Sequence, residues 1–475
     1  MEGVKTIYNY FTTNTFSAKS EKVFADDIRL NAEYYVEENS LVLDTAIAFV
    51  PLSSIASVVF PGIFKRYLVD NVKFGMKFLT TSDMMMLEPE TDKILSTDLT
   101  TNLDIYKVSE NTLLVSRSGT IGNTIYVDER IKDFALTEDA LRVKPCDNKK
   151  IGLLYFYFNS EFGHNSITGK KSGAVIDHIY EDDLLRLPVP QLNDQLIESL
   201  FDSYLKVKKN REIAHQLIAK ARSLTIQYNN LPDLADCPVV TLDPENKTQA
   251  RLTNLSEFSE GFRFDAHFYN PIAKVALDNI KGKSSRHDKL KNLTKNIVIG
   301  KRFKRNYVES DHGTPFIGSK NIIQIRPSEL KFLSNSEIGF MEDLILKKGM
   351  ILIACSGSLG GTFGRTSYVY NNFENYAASQ HILRIIPDEN LIDSGYLYAF
   401  LSSEYGYECI TRYRWGALID EIDDKDMAEL EIPLTTDLQQ HEIGDLVRQA
   451  FQLRSDAIFL EDEAIKLITK TLTQK

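Results

Sequence analysis

Residues 115–127 read VSRSGTIGNTIYV, and residues 352–369 read LIACSGSLGGTFGRTSYV. In each, an apolar run enters a knot of Ser and Gly and a second apolar run leaves it. Alone, the first stretch predicts a strand, a tight turn and a strand, with Gly119 and Gly122 supplying the positive φ that other residues resist. Its recurrence decides how the rest of the chain is read. Ser118-Gly119-Thr120-Ile121-Gly122 answers to Ser356-Gly357-Ser358-Leu359-Gly360 at an offset of 238 residues. Four more pairs stand in the same order. Arg29-Leu30-Asn31-Ala32-Glu33-Tyr34-Tyr35 answers to Arg263-Phe264-Asp265-Ala266-His267-Phe268-Tyr269. Gly62 with Phe64-Lys65-Arg66 answers to Gly300 with Phe303-Lys304-Arg305. Gly173-Ala174-Val175-Ile176-Asp177 answers to Gly416-Ala417-Leu418-Ile419-Asp420, and Leu187-Pro188 to Ile432-Pro433. Collinear matches with a slowly drifting offset describe a module of roughly 240 residues written twice, not a short-period solenoid.

Each copy has a strand-rich part, with short apolar runs broken by Gly, Pro, Asn and Ser. It ends at an apolar-proline step. A helical part follows, with apolar residues at Ile197, Leu200, Phe201, Tyr204, Leu205 and Val207 in one copy. Ile443, Leu446, Val447, Ala450, Phe451 and Leu453 answer them at an offset of 246. Asp194 and Asp437 sit where a first-turn acid favours a helix start. A stripe of about 30 residues spans roughly 45 Å of helix and needs a partner, most economically the other helix in an antiparallel coiled coil. The expected fold class is therefore α+β: two strand-rich domains, each followed by a long helix, with the helices paired. The boundaries are a leader at 1–28, domain one at 29–190, helix one at 191–228, a linker at 229–262, domain two at 263–435 and helix two at 436–475.

Bulk properties narrow the function. The 475 residues carry a formal net charge of -11, which argues against coating a polyanion by bulk charge. The four cysteines (Cys146, Cys237, Cys355 and Cys409) form no CxxC pair, and their scatter predicts buried thiols in a cytoplasmic protein. The window TAIAFVPLSSIASVVF (Thr45 to Phe60) is uncharged, but it is shorter than the roughly 20 residues a spanning helix needs and contains Pro51. It predicts a core strand plus helix, and no membrane partner is expected.

Catalytic signatures are absent. Neither Ser-Gly turn has the G-x-S-x-G elbow. There is no Walker-type phosphate loop, no G-x-G-x-x-G after a strand and no H-E-x-x-H box. The [DN]-P-P-[YF] run of adenine methyltransferases is missing too. No catalytic residue and no metal site are expected, although a scattered acid-acid-lysine nuclease site leaves no local signature.

Basic residues beside glycine turns recur instead. Lys65 and Arg66 follow Gly62, while Lys301, Arg302, Lys304 and Arg305 follow Gly300. Lys170 and Lys171 precede Gly173, and Arg412, Arg414 and Trp415 precede Gly416. Arg117 lies inside the first Ser-Gly turn and Arg365 follows the second. A single lysine is more often a solvated surface residue than a reader. Charge kept at matching places while neighbours differ favours DNA contact, so these residues are the candidate DNA-binding set, with Ser118, Thr120, Ser356 and Ser358 on the turns. A basic run, KGKSSRHDKLK (281–291), and an acidic run, EIDDKDMAELE (421–431), suggest segregated charge.

The ordered motifs R-[LF]-[ND]-A-x-[YF]-Y, S-G-x-x-G, G-A-x-I-D, apolar-Pro and a Gln-containing start of a long helix (Gln195 and Gln440), repeated twice, resemble those of specificity (S) subunits of Type I restriction-modification systems. The resemblance implies that each strand-rich part is a target recognition domain, reading one half of an interrupted, asymmetric double-stranded DNA site. It implies that the helices are spacers docking two methyltransferase (M) subunits, and that a restriction (R) subunit, a motor-nuclease, can join. S-adenosylmethionine would then belong to the methyltransferase, ATP and Mg to the motor-nuclease, and no cofactor to this chain. Half-sites one helical turn apart are roughly 34–36 Å apart, within reach of helices of the length read here. Three readings stay open beside it: a self-contained nuclease or transferase, the specificity chain of a related bipartite-cutting system, and a protein-binding scaffold.

Overall fold

The computed structural model describes residues 47–69, 71–170, 177–237, 241–243, 248–249, 263, 265–335 and 341–473. The leader, the Arg29–Tyr35 motif and the Gly173-Ala174-Val175-Ile176 step lie outside the described residues. The chain divides into two units. Of the described residues, unit one takes 47–84, 89–209 and 459–473. Unit two takes 85–88 and 210–458.

The duplication read from the sequence is a duplication of topology. Unit one has an antiparallel sheet in the order Ala56–Val59, Ala140–Pro145, Leu113–Ser116, Thr124–Tyr126. Unit two has Thr294–Ile299, Ile382–Pro387, Ile351–Ala354, Thr366–Tyr368 in the same order and sense. Each has a second sheet: Leu68–Val69, Ile94–Ser96, Gly75–Leu79, Ala135–Leu136 in one, and Tyr307–Val308, Lys331–Ser334, Gly313–Ile317, Ala377–Ala378 in the other. The last pair is parallel in both. Leu113–Ser116 and Ile351–Ala354 are buried along their whole length, as strands covered on both faces must be. The apolar window folds as two strands, Phe49–Pro51 and Ala56–Val59, joined by a single 3-10 turn at Leu52–Ser54. Pro51 ends the first strand, and no α-helix forms there.

Helices Ile151–Phe158 and Ser394–Leu401 are buried at all eight positions and pack behind the first sheet of each unit. Each is followed by a short helix capped by a serine that accepts a backbone N–H at 3.2 Å. Ser160 takes it from Gly163, and Ser403 from Gly406. The long helices, Asp194–Tyr228 and Asp437–Thr473, begin at Asn193 and Thr436, whose side chains accept from Leu196 and Gln439. Asp194 and Asp437 are first-turn acids, as expected.

The buried face of these helices differs from the apolar stripe by three residues. Leu205, Phe459 and Leu467 are apolar but exposed. The buried positions pair at an offset of 243: Leu200 with Ile443, Tyr204 with Val447, Val207 with Ala450, Arg211 with Arg454, Ala214 with Ala457, and Ala221 with Ala464. Two buried arginines on the core face, invisible to an apolar count, shift the apparent register. Arg454 lies over the Phe451 ring at 4.7 Å and pairs with Glu88.

The helices run antiparallel. In unit two, Tyr228 donates to Glu442 at 2.9 Å, while His215 lies 2.6 Å from Glu88, the carboxylate that also holds Arg454. The interface carries Ala214, Ile218, Ala221, Ile443, Val447, Ala450 and Phe451 into one core with the strands. Each large aliphatic side chain so buried stabilises by roughly 1.5–3 kcal/mol. In unit one, Leu200, Tyr204, Val207, Ala464, Ile468 and Leu472 are buried, and Tyr155 donates to Glu461. Glu88 belongs to a short piece of the first repeat that closes unit two. Ile325 N–H donates to Met85 and Leu87 N–H to Ile323, both at 2.8 Å, around a Met86–Gln324 bridge. At an offset of 238 these residues are one another's counterparts.

The charged runs are not segregated. Arg286–Lys289 pairs with Glu431–Leu434, so that Lys289 and Lys291 both meet Glu429, while Lys281 and His287 meet Glu431. The basic and acidic stretches neutralise each other. Among the cysteines, Cys355 and Cys409 are buried as expected, but Cys146 is exposed and Cys237 half-buried.

Candidate nucleic-acid interface

The Ser-Gly turn is built from its own backbone. Ser116 Oγ accepts from Asn123 N–H at 3.0 Å and donates to the Thr120 carbonyl. Gly122 and Gly360 hold φ of 86° and 76°, which a side chain rarely adopts. In each unit a segment some sixty residues further along the chain meets this turn. Ser118 bridges to His178, and Ile179 N–H donates to Arg117 at 3.0 Å. In unit two, Ser356 and Gly357 pair with Glu421 and Asp420, and Ile422 N–H donates to Cys355 at 3.0 Å. The same pairing therefore ties the S-G-x-x-G turn to residues 178–179 in unit one and to residues 420–422 in unit two.

Arg66 and Arg305 perform one task twice. Arg66 reaches Glu138 at 2.9 Å and lies 5.1 Å from the Phe78 ring; Arg305 reaches Gln380 and lies 5.1 Å from the Phe316 ring. Glu138 and Gln380 are counterparts on the loop that follows the parallel strand. A buried arginine on the strand that follows ties that loop down in unit one. Arg142 donates to the carbonyls of Leu136, Thr137 and Ala140, and its counterpart Arg384 donates to Asp343. Burial pushes the Arg142 guanidinium down to about 10, against the raising effect of Glu138. The persistence of charge at Arg66 and Arg305 thus has a structural cause.

At the turn itself the units differ. Arg117 is buried, 3.3 Å from Asp139, beside His178 and 4.5 Å from the Phe60 ring. Cys355 takes its place, with its thiol pushed up to about 12 by burial. The counterpart of Asp139 is His381, whose Nδ1 lies 2.6 Å from Ser356 Oγ. Burial, then Arg305 and Arg302, hold that imidazole below its ordinary value. A serine and a histidine in contact form the first half of a nucleophile–base pair. The other ring nitrogen meets the Gln380 amide at 2.8 Å, where a triad needs an orienting acid. Unit one has no counterpart of the pair.

Of the remaining candidates, Lys65, Lys301, Arg302, Lys304, Ser358 and Trp415 are exposed. Ser118, Thr120, Lys170, Ser356, Arg365 and Arg414 are half-buried. Arg365 lies over the Tyr407 ring at 4.6 Å, and Arg414 contacts His267 and sits 4.0 Å from Asp420. Arg412 is buried, 4.2 Å from the Phe268 ring, and belongs with Arg117 to the packing rather than the surface. Lys171 lies outside the described residues. Sequence reasoning missed Glu138, Asp139, His178, Ser319, Gln380 and His381. Their signal was positional, since each sits at a repeat counterpart, but the residue types differ between the copies. Among the described residues no group of three or more His, Cys, Asp or Glu is arranged to hold a metal ion. No described helix is long and apolar enough to cross a membrane.

Residues 288–457 match the family model described as "Type I restriction modification DNA specificity domain". The matched segment covers both four-stranded sheets of unit two and the first half of the second long helix. Among solved structures, the chain is similar to the Type I restriction-modification S subunit from M. genitalium. Identity is 15%, over 91% of this chain and 98% of that one, with a TM-score of 0.35. It is also similar to the HsdS subunit from Thermoanaerobacter tengcongensis, at 14% identity over 92% and 99% of the two chains, with a TM-score of 0.27. A comparison with curated proteins gives no match.

Proposed function

We propose that this chain is the DNA sequence-recognition subunit of a Type I restriction-modification complex and carries no catalysis of its own. Each strand-rich domain reads one half of a bipartite, asymmetric site in double-stranded DNA. The paired helices dock two adenine methyltransferase subunits, which bring S-adenosylmethionine, and the complex admits a motor-nuclease subunit that uses ATP and Mg. The protein acts in the cytoplasm. Exposed Lys65, Lys301, Arg302 and Lys304 contact phosphates and set register. Ser118, Thr120, Lys170, Ser356, Ser358, Arg365, Arg414 and Trp415 stand on or beside the loops that meet base edges, and Lys171, outside the described residues, joins them as a DNA contact. Arg66, Arg117, Arg305 and Arg412 act through those loops by holding their shape.

One observation carries this reading. The same two loops are tied by the same backbone pairing in both units, while the side chains they present differ: Arg117, Asp139 and His178 against Cys355, His381 and Glu421. A symmetric site needs identical readers; an asymmetric one needs a common frame with exchanged side chains. In such a complex the methyltransferase flips its adenine out of the duplex, and this chain positions it.

The test is co-expression with the methyltransferase, followed by mapping of methylated adenines. One bipartite motif with a fixed gap is expected. Exchange of residues 265–435 for those of another specificity chain should change one half of the motif only. A change in both halves, or in neither, sinks the two-domain reading. Mg-dependent cleavage or methyl transfer by the purified chain alone would instead make it an enzyme.

A further inference from the structure

Residues 415–421, WGALIDE, form a tight hairpin in unit two. Trp415 N–H donates to Glu421 at 2.9 Å and Glu421 N–H to Trp415 at 2.7 Å. Gly416 makes the turn possible: its φ is +118°, and a Cβ there would come within 2.1 Å of the Ile419 carbonyl oxygen. The base of the hairpin is fastened to the Ser-Gly turn. Glu421 and Asp420 pair with Ser356 and Gly357, and the Asp420 carboxylate accepts from Leu359 N–H at 3.1 Å.

The tip is apolar and faces water. Leu418 is 98% exposed, with Ile419 and Trp415 about half exposed beside it. A leucine so displayed forfeits the burial that favours apolar side chains inside a fold. At the foot of the hairpin opens a cavity of about 500 Å³ lined by Ser319, Ser356, Ser358, His381, Leu418 and Ile419. Arg302 and Arg305 lie close enough to His381 to act on its imidazole, and Lys301 and Lys304 are exposed on the same loop as Arg302. An apolar point next to hydroxyls, an imidazole and a group of cations suits a partner that is both anionic and stacked. Duplex DNA has phosphates for the cations, base edges for the hydroxyls and apolar base faces for the leucine. A purely apolar protein patch would leave the cavity and the cations unmatched.

We propose that Leu418 is a wedge that enters a base step of the DNA bound by unit two, and that Ser356, Ser358 and His381 meet the edge of a base in the opened step. This rests on the DNA-recognition reading above and deepens it, adding local distortion of the duplex to the reading of the second half-site.

The test uses the assembled complex of the full chain with its methyltransferase. The DNA carries 2-aminopurine, in turn, at each base of the second half-site other than the methylated adenine. Unstacking raises the fluorescence of this base. A several-fold rise at one step is expected with the wild-type chain. In L418A the rise should be lost, with affinity weakened about tenfold; L418M should keep both. Probes in the first half-site should respond alike in all three proteins, which controls for folding and assembly. An equal rise in L418A and the wild type overturns the wedge. So does the absence of any rise with a wild-type complex that still methylates its bipartite site. If L418A fails to join the methyltransferase, the tip contacts protein and the wedge is wrong. A wild-type complex without sequence preference is a separate result, which removes the DNA-recognition reading and the wedge with it.

Discussion

At one point in the repeat the two units meet the same structural demand with different chemistry. In unit one the turn is anchored by Arg117, buried against Asp139 and the Phe60 ring, with His178 on the neighbouring loop. In unit two the cation is gone. Cys355 points inward, Ser356 binds His381, and Glu421 stands where His178 does. Yet the backbone bonds from Ile179 to Arg117 and from Ile422 to Cys355 are both 3.0 Å. The frame is kept by main-chain pairing, glycines at fixed places and the latches of Arg66 and Arg305. The side chains on it are therefore free to change without refolding the domain, as the proposed reading of two unlike half-sites requires.

The comparison breaks down most visibly at Glu88. This carboxylate comes from the first repeat but serves unit two, where it joins His215 on one long helix to Arg454 on the other. Burial alone would raise its pKa. The hydrogen bond with His215, then Arg454 and Arg222, outweigh burial and hold it at about 2. Removing one partner of a buried ion pair strands the other, which costs about 3–5 kcal/mol. Glu88→Gln is therefore expected to lower the thermal midpoint by several degrees and to strip hydrogen-exchange protection from residues 210–228. Because the folded value lies below the ordinary one, the stabilisation is complete above about pH 4.5 and fades as pH falls toward 2. Acid unfolding of the wild type should show that loss and the Gln variant should not. Equal acid sensitivity of the two proteins would mean that Glu88 does not hold the helices.

Much of this was legible in the sequence because repetition doubles every signal. Glycine turns, short apolar runs and the first-turn acids Asp194 and Asp437 recur in the same order, so the two strand-rich domains and their long helices follow from pattern alone. The helix register was misjudged because apolar identity is only a proxy for burial. Arg211 and Arg454 are buried, while Leu205, Phe459 and Leu467 are exposed. The candidate site was half legible. Its loops were found from glycine and charge, but persistent charge at Arg66 and Arg305 reflects contacts within the domain. Glu138, Asp139, Gln380 and His381 escaped because a search for sameness passes over positions where the copies differ.

The latches allow a finer comparison. Arg66 meets a carboxylate and Arg305 a neutral amide at the same place. Both bonds carry the guanidinium charge and fall in the class that stabilises by about 1.5–3 kcal/mol, but only Arg66 adds the attraction of an opposite charge. The partly exposed setting of Arg66 brings its value to the lower end. Arg66→Ala should cost about 1–2 kcal/mol in chemical denaturation, and Arg305→Ala less than that. An Arg305→Ala variant that is the less stable of the two would show that stacking on Phe78 and Phe316, rather than the acceptor, sets the strength of the latch.

The smallest effect lies one residue away. Lys65 and Lys304 precede the latch arginines, are counterparts in the repeat, and are both exposed. If they bind phosphates, each contributes affinity without sequence information, and its loss lowers the slope of log affinity against log salt by about 0.9. Lys65→Ala and Lys304→Ala should therefore flatten the salt dependence equally, weaken binding only a few-fold at moderate salt, and leave the methylated motif unchanged. This separates the two basic neighbours by mechanism: the arginine variants should move stability, and the lysine variants salt dependence. A lysine variant that changes the methylated motif would make that side chain a reader of bases, and the frame shared by the two units would then extend less far than the repeat suggests.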